Sequence, residues 1–174
     1  MARATGCWHI GIHVADIERS IRFYTEVFGF RLFMRRESTE TYARTLCGYP
    51  GVTLQQAMLT FPGDDSPPGT GLFFEIFEYQ NVGKTPVDTR PANPGTAHFC
   101  LKVDDLEALY PELRAKGVEF LSGVIVQTGG VNKGGRVIYA RDPDGIVIEL
   151  IQLVRDPLLI PSSADQTAQR GGAT

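Results

Sequence analysis

Residues 9–18, HIGIHVADIE, carry two of the chain's three histidines, four positions apart. Ile10, Ile12 and Val14 alternate with His9, Gly11 and His13, a period of two that reads as a strand from Cys7 to Val14. On a strand the two histidines share a face but stand roughly 13 Å apart, at about 3.3 Å per residue. They cannot both ligate one ion, so at most one of them is a ligand.

Working outward, the same pattern recurs. HFCLKVDDLE at 98–107 aligns on it without gaps, 98 − 9 = 89 residues further along: His9 on His98, Ile12 on Leu101, Val14 on Val103, Asp16 on Asp105, Glu18 on Glu107. His13 is matched by Lys102, so if one histidine per copy has the same job, it is His9 in the first and His98 in the second. After each copy an aspartate suited to capping a helix introduces an amphipathic stretch, 17–28 and 105–116, ending at Gly29 and Gly117. Pro111 is expected to kink the second helix.

Three apolar runs suited to strands follow each helix: Phe30–Arg36, Val52–Phe61 and Leu72–Tyr79, then Val118–Val126, Gly135–Arg141 and Ile146–Val154. Each half therefore reads as a βαβββ module. PGDDSPPGTG (62–71) and DPDG (142–145) form turns before the last strands. The expected organisation is a first module over 1–79, a Pro-rich connector over 80–95, a second module over 96–154 and a tail over 155–174. In the tail, Leu158–Ile160 is the segment expected to pack against something, such as a second subunit.

The last strand of each half holds a carboxylate among apolar residues: Glu75 in LFFEIFEY (72–79) and Glu149 in IVIELIQL (146–153). An unpartnered carboxylate buried there costs several kcal/mol or takes up a proton, so something positive should face each one. One glutamate on a strand is more often salt-bridged, and one histidine more often structural. A His at the start and a Glu at the end of both copies outweighs those readings. With the two modules paired around a cleft, His9, Glu75, His98 and Glu149 are candidate ligands for a divalent ion. Imidazole with carboxylate suits octahedral Ni, Co, Mn, Fe or Zn and leaves about two positions for water or a chelating substrate.

Phe73, Phe77 and Tyr79 share the parity of Glu75, so they are expected to line the site and to favour an apolar or aromatic substrate. His13 and Lys102, further along the ligand face, are candidate substrate contacts. For His13 an ordinary polar strand end is the alternative. Cys100 shares the face of His98 and is expected to be a small core cysteine. The loop GGVNKGGR (129–136) offers Lys133 and Arg136 to an anionic substrate group, with a flexible hairpin as the plainer reading. It is not a P-loop, because a strand follows it.

Composition narrows the rest. At 174 residues, 43% hydrophobic and 21% charged, the chain suits one buried domain or two modules sharing a core. A formal charge of −3 gives no basic stripe for nucleic acid. No run of 18 apolar residues and no signal-like N-terminus is present, so a cytoplasmic location away from membranes is expected. Three cysteines without CxxC spacing do not suggest a disulfide framework or a thiolate zinc site.

These segments resemble the vicinal oxygen chelate superfamily, which includes glyoxalase I, methylmalonyl-CoA epimerase, extradiol dioxygenases, fosfomycin-resistance transferases and bleomycin-binding proteins. HIGIHVADIERSIRFYTEVFGF (9–30) looks like the family's opening segment and YARDPDGIVIEL (139–150) like its closing one; the resemblance covers about residues 8–153. It implies an α+β fold in which two βαβββ modules form a U-shaped, partly closed eight-stranded barrel around the metal. It carries the four ligand roles onto His9, Glu75, His98 and Glu149, and it implies a homodimer.

The ligand set is similar to those of glyoxalase I and the epimerases. It implies a lyase or isomerase in which the ion holds two oxygens of a carbonyl substrate, an enediolate is stabilised, and Glu149 or Glu75 shuttles the proton. Two positions depart from glyoxalase I: His13 stands where that family offers an arginine for the glutathione carboxylate, and Tyr79 where it commonly has an asparagine. The alternatives are an Fe(II) extradiol-type dioxygenase acting on a catechol-like substrate, and a metal-free small-molecule-binding protein of the bleomycin-resistance type.

Overall fold

Both halves of the computed structural model, which describes residues 2–154, begin alike, with a five-residue strand, an aspartate cap and a helix. The first half runs β1 (His9–His13), α1 (Ile17–Phe28), β2 (Arg31–Ser38), α2 (Thr41–Cys47), β3 (Thr53–Thr60) and β4 (Phe73–Gln80). The second runs β5 (His98–Lys102), α3 (Leu106–Ala115), β6 (Glu119–Phe120), β7 (Ile125–Val126), β8 (Arg136–Arg141) and β9 (Val147–Gln152). The expected tail, including Leu158–Ile160, lies outside the described residues.

The caps form as the sequence predicts. The Asp16 side chain accepts from the Arg19 N–H at 3.0 Å, and that of Asp105 from the Ala108 N–H at 3.1 Å. Gly29 closes α1 at φ 74°, and Gly117, just past α3, takes φ 83°, the left-handed conformation that favours glycine. The residue three beyond each strand glutamate then anchors the start of the helix. Glu78 accepts from the Ile17 N–H at 3.1 Å, and Gln152 from the Leu106 N–H at 3.0 Å.

The described residues divide into two compact units, 2–96 with Asp142–Ile146, and Ala97–Arg141 with 147–154. The first holds a sheet of order β1-β4-β3-β2, the second a sheet of order β5-β9-β8-β6 with β7 also on β8. In each, the first strand pairs in parallel with the last, and the others are antiparallel. The fold is thus α+β with two sheets, and no closed barrel forms among the described residues.

Strand alternation gives each sheet a helix-covered face. In the first unit Ile12, Phe74, Ile76, Ala57 and Leu59 are buried with Ile17, Ile21 and Tyr24 of α1. The Tyr24 ring centroid lies 4.8 Å from that of Phe74. In the second, Phe99, Leu101, Ile138, Ala140, Ile148 and Leu150 are buried with Leu106 and Leu113 of α3. Each such large side chain contributes about 1.5–3 kcal/mol on burial. With these faces committed to the core, the opposite faces are left for chemistry.

Three details differ from expectation. The strand predicted over Val118–Val126 is two short pieces, β6 and β7, because Ser122 and Gly123 interrupt it. α2 was not predicted: at seven residues it is about two turns, too short for an apolar stripe, and Ala43 is its buried residue. The loop 129–136 is pinned, since buried Asn132 donates to the Gln152 carbonyl at 3.2 Å and accepts from the Val154 N–H at 3.0 Å. No helix among the described residues is long and apolar enough to cross a membrane.

The DPDG turn is fastened to α1. Asp142, 5% exposed, accepts from the Tyr24 hydroxyl at 2.9 Å and from the N–H groups of Asp144 and Ile146 at 2.9 and 2.8 Å. Asp144 pairs with Arg19 at 2.7 Å. Burial pushes the Asp142 carboxyl above its ordinary value of 3.8, against the pull of its three donors. A carboxyl whose folded-state pKa is raised stabilises the fold fully below the unfolded value and loses that contribution as pH rises through the folded one. Urea-denaturation midpoints should therefore carry a component that falls with rising pH above 3.8, and Asp142→Asn should remove it.

A second prediction concerns the pinned loop. A Cβ on Gly135 would meet the Asn132 amide nitrogen and lie 2.6 Å from the Gln152 carbonyl oxygen. Gly135→Ala should lower stability by about 1–3 kcal/mol in urea denaturation.

Candidate active site

In the first unit the parallel register sets Gly11 opposite Glu75. His9 therefore reaches Glu75 diagonally, its Nε2 3.1 Å from Glu75 Oε2. Glu75 is 3% exposed, and its other oxygen accepts from the side-chain amide of Gln56 on β3. A buried carboxylate is held here by donors on both oxygens, as its desolvation demands. Phe73 stands beside it, its ring 5.3 Å from that of His9, and Trp8 contacts both rings, 5.3 Å from Phe73 and 5.5 Å from His9.

The second unit repeats this with different walls. Cys100 lies opposite Glu149, and His98 Nε2 is 3.0 Å from Glu149 Oε2. Glu149 is more open, its side chain 18% exposed against 4% for Glu75. Tyr139 lies opposite it across β8, with its ring 5.3 Å from that of His98. Burial, then the charge of Glu149, pushes the Tyr139 phenol above its ordinary range. The same two causes in the same order push the Cys100 thiol up to about 11, so it is not a ready thiolate near neutral pH. Cys100 is exposed on the site face, not buried in the core as expected.

His13 shares its face with His9 and makes edge contacts with the rings of Phe77 and Tyr79 at 5.7 and 5.2 Å. Burial raises the Tyr79 phenol, with Cys47 and Tyr49 adding to it. Lys102 ends β5, exposed, with the parity of His98. Arg136, the other expected substrate contact, ends in an ion pair on its own unit. It has the parity of buried Ile138 and Ala140, and its Nε lies 3.1 Å from Glu107 of α3, so it belongs to the helix side of the sheet.

Sequence reasoning missed Gln56 and Tyr139, which touch or flank the two carboxylates. Their parity was legible, but the register that brings them to Glu75 and Glu149 was not. Among the described residues no group of three or more His, Cys, Asp or Glu side chains gathers as an ion site; each unit offers one His–Glu pair.

A glyoxalase/bleomycin resistance protein/dioxygenase superfamily model matches residues 7–150, most of the chain. The chain belongs to that superfamily. It is similar to a probable lactoylglutathione lyase of Vibrio parahaemolyticus, 34% identical over 83% of this chain and 88% of that one. It is also similar to a lactoylglutathione lyase of Arabidopsis thaliana, 33% identical over 83% of this chain but 43% of that one, so it spans less than half the plant protein.

Among solved structures of the superfamily, glyoxalase I from Zea mays aligns with a TM-score of 0.60 at 27% identity, over 87% of this chain and 46% of that one. A glyoxalase family protein from Bacillus cereus aligns at 0.69 and 19% identity, over 88% and 97%, a likeness of fold. Together these make the chain a vicinal oxygen chelate protein and its relatives lyases.

Gln56 supplies a direct check on the geometry. Gln56→Leu leaves one oxygen of a buried carboxylate unpaired and should lower stability by about 1–3 kcal/mol. The urea midpoint reads this, and an unchanged midpoint would show that Glu75 does not depend on Gln56.

Proposed function

We propose that this chain is a glyoxalase-like, divalent-metal-dependent lyase or isomerase that moves a proton on the carbon next to a carbonyl. The observation that carries the reading is the repeated His–Glu pair, on the face of each sheet that the core does not use. Similarity to several lactoylglutathione lyases supports it, and suggests adducts of a thiol with a 2-oxoaldehyde as the substrate class.

Each His–Glu pair has the donor spacing that a metal would take. Two donors each about 2.1 Å from an ion and at right angles lie about 3.0 Å apart. The pairs measure 3.1 and 3.0 Å. We propose the pairs His9–Glu75 and His98–Glu149 as candidate ligands for a divalent ion, which is Ni, Co, Mn, Fe or Zn. When bound, such an ion stabilises negative charge developing on the substrate's oxygens.

The chain's own groups divide the remaining work. Glu75, buried and with one oxygen accepting from Gln56, keeps its position. Glu149, more open and paired with His98 on one oxygen, is the group with room to accept the proton and return it. Phe73, Phe77, Tyr79 and His13 exclude water from the first unit's face.

Deuterium exchange at the substrate's α-carbon tests the assignment. Glu149→Gln should abolish exchange while Phe77→Leu retains most of it, and exchange undiminished in Glu149→Gln would refute the role. Chelator should remove activity and a first-row divalent ion restore it, with elemental analysis of the purified protein showing a bound first-row ion.

The aromatic neighbours of His13 favour one other reading, an Fe(II) dioxygenase acting on a catechol-like ring. Oxygen uptake with catechols and ferrous iron would point to it.

A further inference from the structure

Strand register makes the two histidines comparable neighbour by neighbour. His9 stands opposite Phe73, and His98 stands opposite Val147. The residue before each strand is Trp8 in the first unit and Ala97 in the second. Both rings that touch His9 therefore have aliphatic counterparts beside His98.

A histidine that ligates an ion is ordinarily oriented by a hydrogen bond on its other ring nitrogen, made to a carboxylate, a carbonyl or water. His9 turns Nε2 toward Glu75, and its Nδ1 is out of contact with solvent with no hydrogen-bond partner among the described residues. Rings stand around it instead. Phe73 and Trp8 lie 5.3 and 5.5 Å from the imidazole, tilted 35° and 57° to it, and 5.3 Å from each other at 86°. Each of the three rings thus touches the other two, in the tilted and edge-on arrangements that aromatic pairs favour.

Phe73 is fixed by the sheet, 2% exposed, and its N–H donates to the Trp8 carbonyl at 3.4 Å. Trp8 is different in kind. It lies just outside β1 and is 67% exposed, so the core does not depend on it. Its ring contacts are with His9 and Phe73.

We propose that Trp8 is a positioning residue for His9. Its indole, braced on Phe73, holds the imidazole so that Nε2 stays aimed at the place where a divalent ion binds, the task that a hydrogen bond on Nδ1 usually performs. This presupposes the metal-binding role proposed for His9 and adds the means by which that ligand is aimed. His98, with Ala97 and Val147 at the matching positions and its side chain 44% exposed, lacks the clamp.

Cobalt(II) binding to the full-length chain, measured by calorimetry, and the rotamer of His9 in the metal-free protein test this together. Trp8→Ala should weaken cobalt(II) binding by at least about tenfold, the scale of lost outer support around a metal-bound histidine. In the absence of metal it should also change the His9 Hα–Hβ three-bond couplings from those of one rotamer to averaged values. Trp8→Phe, which keeps a ring, should restore both readouts. Leu46→Ala, at another exposed apolar position, should alter neither. In the unsubstituted chain cobalt(II) should saturably quench the emission of Trp8, its single tryptophan, and His9→Ala should abolish that quenching.

Unchanged cobalt(II) affinity and unchanged His9 couplings in Trp8→Ala would overturn the proposal, as would a Trp8→Phe variant impaired as much as Trp8→Ala. Weakened binding accompanied by a lowered urea midpoint in Trp8→Ala would make the indole a structural group and sink the positioning role. Averaged couplings in Trp8→Ala, in a protein that binds no cobalt(II) when unsubstituted, would instead keep the clamp and sink the metal reading of the site.

Discussion

The site hangs on parallel pairing between the first and last strands of each unit. That pairing places an N-terminal histidine beside a glutamate contributed dozens of residues later, and it fixes the offset between them. Gly11 and Cys100, the residues directly opposite the two carboxylates, are small, so the imidazole two positions earlier closes on the glutamate diagonally. The spacing is about 3 Å in both units. A slip of one residue would turn every one of these side chains into the helix-covered core.

That constraint is enforced by the opposite faces of the same strands. Phe74 and Ile76 flank Glu75 in sequence and are fully buried, as Ile148 and Leu150 are around Glu149. Moving the register would take them out of the core and put the carboxylates there without their partners, at several kcal/mol for each change. The helices lock the arrangement from their first residues, because Glu78 and Gln152 accept the leading N–H groups of α1 and α3. Core packing and site geometry are two sides of one alternation.

Within this shared frame the units have diverged in accessibility. The first encloses its carboxylate with Gln56 and a run of aromatic rings. The second leaves Glu149 beside an open apolar pocket, created where a strand gives way to Ser122 and Gly123. A duplicated His–Glu pair with unequal surroundings is the basis on which we propose that one glutamate holds position while the other meets substrate. Enzymes commonly obtain distinct roles from chemically identical carboxylates through environment.

The chain itself determined the duplication, the strand and helix order and the two caps, because His, Asp, Glu and the apolar periods recur at matched positions. It also marked Glu75 and Glu149 as anomalous, since a carboxylate in an otherwise apolar strand is costly wherever the strand lies. Periodicity is a local property, and it survives without knowledge of partners. Which side chains touch those carboxylates is not local. Gln56, Tyr139 and the diversion of Arg136 to Glu107 depend on register between strands and on which sheet face a helix covers. The short α2 and the broken β6–β7 strand likewise carry too few residues for a period to show. Only the folded chain settled them, through contacts that no window of sequence contains.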